Sequence, residues 1–205
     1  MRRLLSAILI AVIVVALLGA AGVAYVVATG LSARAQPGAL ETRLARSVRS
    51  LAIPGDVKRM ANPAPKSAEV IADGMNHFAD HCASCHANDG SGKTEMGQGL
   101  FPKAPDMRQP ATQQLTDGEL FYIIENGVRF TGMPAWSTGA ADGEAASWHL
   151  VHFIRTLPTL TPEQIEQMEA LNPRPPDEIR QQIEEERFLK GDGGDPAPPP
   201  KPHAH

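Results

Sequence analysis

Cysteine occurs twice in the 205 residues, three positions apart and followed at once by histidine, in the string Cys82-Ala83-Ser84-Cys85-His86. A disulfide here would close so short a loop that it would remove little entropy from the unfolded chain, so a structural staple is a poor reading. A thioredoxin-like dithiol sits in a βαβ pattern, and none surrounds this pair. A structural zinc site wants four Cys or His ligands, usually with a second ligand pair. The spacing suits a different chemistry. Two thiols on one turn can add to the two vinyl groups of a haem while the adjacent imidazole coordinates its iron.

The opposite face of such an iron needs a ligand, and the candidates are Met96, Met107, Met133 and the remaining histidines. A lone methionine in an ordinary protein is core filler. The demand for a sixth ligand singles out Met133, in Gly132-Met133-Pro134-Ala135-Trp136, because this non-helical stretch after Gly127 could hold a thioether facing the haem. The alternative is His149 or His152, whose i, i+3 spacing also suits surface positions. His77 and His81 precede the motif on its own helix and read as solvent-facing.

The elements that must position these residues are helical, and no β pattern or internal repeat appears. A helix is predicted from about Ser67 through Gly74, Phe78 and His81 into the cysteine pair. Thr116 and Glu119 form a capping box that opens a second helix, with Leu115 placed to staple against Leu120. That helix should stop at Asn126-Gly127 in a left-handed cap. A third spans about 143–157, carrying Trp148, Val151, Ile154 and Leu157 near one side and ending at Pro158. Thr161-Pro162-Glu163-Gln164 is a further capping box and opens a short helix over 163–171. A polar helix follows over 177–190, closed by Gly191. Residues 192–205 hold five prolines, with His203 and His205 at the end, and are predicted to be disordered.

The N-terminus is of another kind. From Leu4 to Ser32 no residue is charged, and the run exceeds the roughly 20 apolar residues that cross a bilayer core. A cleaved signal peptide is the competing reading, since Ala33-Arg34-Ala35 imitates a cleavage site, but its apolar region is typically only about 7–15 residues. Arg2 and Arg3 favour a cytoplasmic N-terminus, whereas Arg34, Arg43, Arg46 and Arg49 on the other flank oppose it, so charge leaves orientation open. Beyond the span, Leu40, Leu44, Val48 and Leu51 form an amphipathic stripe, either lying on the membrane or packing on the domain. Pro54-Gly55 and Asn62-Pro63-Ala64-Pro65 make residues 53–67 a linker without regular structure.

The net charge of −4 is unevenly spread: residues 31–67 carry seven basic and two acidic residues, and residues 68–205 ten basic and 21 acidic. The basic stretch is short and has no interleaved aromatics, which argues against nucleic-acid binding.

Residues 68–158 resemble a class I monohaem cytochrome c domain, carried by CASCH and by GVRFTGMPAW around Met133. The resemblance implies an all-α haem domain of three to five helices with one covalently attached haem c. It implies His86 as proximal and Met133 as distal iron ligand, and Gly74 and Phe78 crossing the last helix near Phe153. It further implies that a proline carbonyl accepts the proximal imidazole N–H, and Pro105 matches that position better than the nearby Pro102. Because such proteins receive their haem outside the cytoplasm, it places residues 33–205 in the periplasm, tethered to a bacterial inner membrane.

The organisation expected is therefore an anchor at 1–32, a basic juxtamembrane helix and linker at 33–67, a haem domain at 68–158, a helical extension at 159–191 and a tail at 192–205. A domain of about 90 residues makes a marginal core, so the macrocycle should be needed for folding. His/Met ligation leaves no open iron position, and the expected function is single-electron transfer with membrane or periplasmic redox proteins, without a small-molecule substrate. The rival expectations are a haem peroxidase or gas sensor with a labile axial ligand, and metal capture by His203 and His205.

Overall fold

The computed structural model describes residues 2–174 and 176–190; the expectations for Gly191, for the tail at 192–205 and for His203 and His205 lie outside the described residues. Among those described there is no strand, and the architecture is all-α.

Helix α1 (Arg2–Thr29) holds 28 residues, about 42 Å at 1.5 Å per residue, and buries none of them. It is long and apolar enough to cross a membrane, as a single-pass anchor would be. Helix α2 (Ala39–Ala52) carries the amphipathic stripe, and Leu40, Leu44, Val48 and Leu51 are all exposed. That stripe does not pack on the domain.

The stretch at 53–67 departs from the expected irregular linker, because it is seated on the helices that follow. Helix α3 (Gly55–Lys58) forms within it, and Ile53 is buried. Gly118 lies so close to the Val57 carbonyl that a Cβ there would strike it. Asn62 Nδ2 donates to the Trp148 carbonyl at 2.8 Å, and Ala64 packs against the core. Proline blocked the sequence pattern here without preventing side-chain anchoring.

The domain is built on α4 (Ala68–His77), capped by the Ser67 hydroxyl, which accepts from the Val70 amide. The chain continues without a break through a π-helical turn (Phe78–Cys82) into α5 (Ala83–His86). Two short helices follow, α6 (Glu95–Gly99) capped by Thr94, and α7 (Pro110–Gln113) with proline in its first turn. Helix α8 (Asp117–Asn126) opens on the expected capping box of Thr116 and Glu119. Helix α9 (Ala141–Ile154) ends before Pro158, which lies in a 3-10 turn (Leu157–Thr159).

The crossing of α4 and α9 holds the core. Gly74 brings the helices so close that an added Cβ would meet the His149 carbonyl, and one turn on the Phe78 and Phe153 rings pack at 5.2 Å. Both phenylalanines are fully buried. Phe121 of α8 stacks on Trp148 of α9 at 4.1 Å. Arg155 then ties the end of α9 to the start of α8: its guanidinium donates to Asp117 Oδ1 at 2.7 Å and 3.1 Å, to the Gln113 carbonyl at 2.8 Å and to the Leu115 carbonyl at 2.6 Å.

Helix α10 (Pro162–Glu169), opened by the Thr161 and Gln164 capping box, seats Met168 fully buried in this same core. The first part of the expected extension is thus packed against the domain. Helix α11 (Pro176–Leu189) follows, with Ile179, Ile183, Phe188 and Leu189 exposed among its charged residues.

Candidate haem site

Cys82, Cys85 and His86 stand at i, i+3 and i+4 on one continuous helical path, so their side chains share a face. The π turn that ends on Cys82 adds a residue to the helical repeat, a feature often found at functional sites. It buries Phe78 and Ala79 in the core while Cys82 and Cys85 remain part-buried as free thiols. Burial, together with Cys85 alongside, pushes the Cys82 thiol up to about 12. The Cys82 thiol therefore rests protonated at neutral pH as an S–H group.

Beyond the motif the chain wraps back over it. Ala87 takes φ +59° and ψ 156°, a conformation rare outside glycine. The Gly92 amide donates to the His86 carbonyl at 2.8 Å, and the Thr94 hydroxyl donates to the Cys85 carbonyl at 3.1 Å. Gly92, itself at φ +69°, lies against the Ala104 and Pro105 carbonyls, so this glycine lets the two loops meet. Asp89, Asp106 and Arg108 clamp the second loop: Arg108 NH1 donates to Asp89 Oδ2 at 3.0 Å and Nε to Asp106 Oδ1 at 2.8 Å. The guanidinium holds the Asp106 carboxyl down at about 2.

Burial holds the His86 imidazole toward its neutral form, the form that ligates a metal, and the Pro105 backbone approaches closely enough to offset this in part. Nδ1 is buried and has no hydrogen-bond partner. A buried ring nitrogen left unpaired is costly, and the Pro105 backbone is the polar group beside this ring.

Met133 is held by backbone rather than by a helix. The loop after α8 folds back so that the Trp136 and Ser137 amides donate to the Ile124 and Glu125 carbonyls at 3.1 and 3.2 Å, satisfying the helix end. The Met133 carbonyl accepts from the Val128 amide at 3.1 Å, and its amide donates to the Thr131 hydroxyl at 3.1 Å. Gly127 has the expected positive φ of 63°, but its ψ of −166° is extended, so the left-handed cap does not form. The returning loop caps the helix instead, and a Cβ at Gly127 would strike the Met133 and Pro134 backbone.

The other candidates have different places. Met107 is buried in the core and Met96 is exposed. His149 Nδ1 is bonded to Asp73 Oδ2, and His152 Nε2 bonds the Ala64 carbonyl at 2.9 Å. Both rings are thus engaged within the packing of α4, α9 and the 53–67 strap. His81 is exposed, as expected, and its ring lies 5.4 Å from that of Trp136. His77 is part-exposed.

Residues 69–154 match the family model described as cytochrome c oxidase, cbb3-type, subunit III. With the helical path through CASCH already in place, that match decides the fold. Residues 69–154 are a c-type cytochrome domain. Such domains bind haem and carry out haem-based electron transfer, typically as electron carriers. The donor set of the cytochrome domain fits that group: two thiols, a neutral imidazole with an unpaired buried nitrogen, and a methionine on a pinned loop. The strap at 53–67 and helix α10 lie outside the matched region yet complete the packing of the cytochrome domain. The helix opened by Thr161 was expected but its packing on the domain was not, and the order of the strap was missed together with α6 and α7, although Thr94 and Pro110 are helix-start signals.

Proposed function

We propose that the chain is a membrane-tethered carrier of single electrons, holding one haem c by thioether bonds to Cys82 and Cys85 with His86 and Met133 as axial iron ligands. The observation that carries the reading is the shared helical face of Cys82, Cys85 and His86, joined to a methionine fixed by its own backbone hydrogen bonds. When bound, haem supplies a one-electron iron couple. Cys82 and Cys85 would hold it by adding each S–H across a vinyl group, the sulfur bonding to one carbon and the hydrogen going to its neighbour, with no change in electron count.

The chain's own residues then set the properties of the centre. Pro105 stands where its carbonyl can accept from the His86 ring, which would fix the imidazole's orientation. Thioether ligation by Met133 would favour the ferrous state and raise the potential, and an iron held by both His86 and Met133 would exchange electrons without binding a substrate. Residues 68–158 carry 11 acidic and five basic residues, so partners with basic docking faces should be favoured and the electron-transfer rate should fall with added salt. Membrane oxidases of the cbb3 class are natural candidates, given the matching family's description. Haem attachment outside the cytoplasm places the domain on the periplasmic side of an inner membrane, with α1 as its single span.

Met133→Ala tests the ligand set. The wild-type ferric protein should show the long-wavelength sulfur-to-iron charge-transfer band and resist carbon monoxide when reduced. The variant should lose the band and bind carbon monoxide readily. An unchanged spectrum in the variant would remove Met133 from the iron.

A further inference from the structure

Helix α2 is attached to the cytochrome domain by the side opposite its apolar stripe. Leu40, Leu44, Val48 and Leu51 share one face and are 81%, 63%, 56% and 83% exposed. On the other side Thr42 and Arg49 are the half-buried residues of the helix. Burial and the neighbouring Arg46 push the Arg49 guanidinium down, and the Glu119 carboxylate at the start of α8 partly offsets them. Ser50 accepts from Lys58 Nζ at 3.2 Å, and Ile53, one residue past the helix, is only 3% exposed. A water-soluble helix packs in the reverse sense, burying its apolar stripe and leaving its arginines in solvent.

The stripe therefore needs an apolar phase other than the domain, and the chain connectivity limits where that phase can be. Residues 30–38 join α1 to α2, and nine residues span at most about 30 Å fully extended. A helix able to cross a membrane thus keeps α2 close to the bilayer surface. Arg43 borders the stripe and Arg34 lies in the connection, both cations placed for lipid phosphates.

We propose that α2 lies in the interface of the bilayer that α1 crosses, its Leu40, Leu44, Val48 and Leu51 stripe immersed at the acyl boundary and Arg34 and Arg43 on anionic headgroups. The cytochrome domain then rides on the opposite side of α2, held through Arg49, Ile53 and the strap, with the start of α8 nearest the membrane. The domain is presented in one orientation rather than on a free tether. This rests on the proposed membrane span and on no feature of the iron ligation.

The test uses full-length, haem-loaded protein in nanodiscs of mixed phosphatidylcholine and phosphatidylglycerol, spin-labelled at Leu44→Cys or, separately, at Arg46→Cys. Thioether attachment leaves the native cysteines unreactive to the label. The label at position 44 should be relaxed severalfold more by oxygen than by an aqueous nickel chelate, and the label at position 46 should show the reverse. A second arm places the label at Leu51→Cys and adds Leu44→Glu with Val48→Glu, which should move the label into water with the haem spectrum unchanged. Equal nickel access at positions 44 and 46 would overturn the proposal. So would shielding of position 44 from both relaxants, which would mean a second protein surface or another copy of the chain covers the stripe. Failure of the span would appear separately, as protein that does not remain with the nanodiscs, and failure of the haem reading as an altered spectrum.

Discussion

Replacing Gly74 by alanine sets two effects of opposite sign against each other. In a helix interior alanine is favoured over glycine by about 1 kcal/mol, so propensity alone would stabilise the variant. The structure puts the His149 carbonyl directly in the path of the new methyl group, with Phe153 Cβ 3.0 Å away. Neither can rotate aside, since one is backbone and the other is fixed by its own main chain. Overpacking of a tight site costs about 1–3 kcal/mol, and a backbone obstacle puts this one near the top of that range. The net is a loss of about 2 kcal/mol. Guanidinium unfolding of the haem-loaded protein, followed by far-ultraviolet circular dichroism, should show it. With a slope of about 4 kcal/mol per molar, the midpoint falls by roughly 0.5 M. A midpoint equal to or above wild type would mean that the α4 and α9 backbones are not in contact at Gly74, and the crossing described here would be wrong.

Arg155→Met keeps the length of the side chain but leaves the Gln113 and Leu115 carbonyls without their donor; a loss of about 2–4 kcal/mol is expected, with only part of it recovered by Arg155→Lys, and an unchanged melting temperature would contradict it. Asp106 titrates near 2 in the folded state against about 3.9 when unfolded, so its contribution is complete above about pH 4 and is lost as pH falls toward 2. Arg108→Leu should accordingly shift the acid-unfolding midpoint upward, and an identical midpoint would remove the clamp from the account. Ala87→Gly relieves a positive φ and should raise stability by about 1 kcal/mol in chemical denaturation, whereas a loss would mean that the residue after His86 is unstrained. Expression without haem maturation should give a protein with much reduced helicity in residues 68–158, because the macrocycle supplies apolar surface the short helices lack; full helicity would refute that dependence.

What the sequence made legible was local. The capping boxes at Thr116 and Thr161 formed as written because each is settled within four residues. The Gly74, Phe78 and Phe153 crossing was reachable through the family resemblance, since a small residue one turn from an aromatic marks a close helix contact. The strap at 53–67 was not legible, because its order comes from Asn62 and Ala64 meeting residues on α9 that lie far along the chain. The same holds for Met168, whose burial in the core no local pattern announces. At Gly127 the residue type was right for a positive φ, but the cap itself comes from the Trp136 and Ser137 amides, nine and ten residues later. For His149 and His152, spacing alone did not show that their rings bond Asp73 and the Ala64 carbonyl, groups distant in the sequence.

The central claim is that Cys82 and Cys85 carry a haem by covalent bonds. Intact-mass measurement of the mature, membrane-extracted protein, followed by sequencing of the peptide spanning residues 78–93, tests it most directly. The mass of one haem should be added to the chain, resistant to acidic acetone and located on that peptide. Haem that leaves in the acetone, or a peptide with two unmodified cysteines, would contradict it.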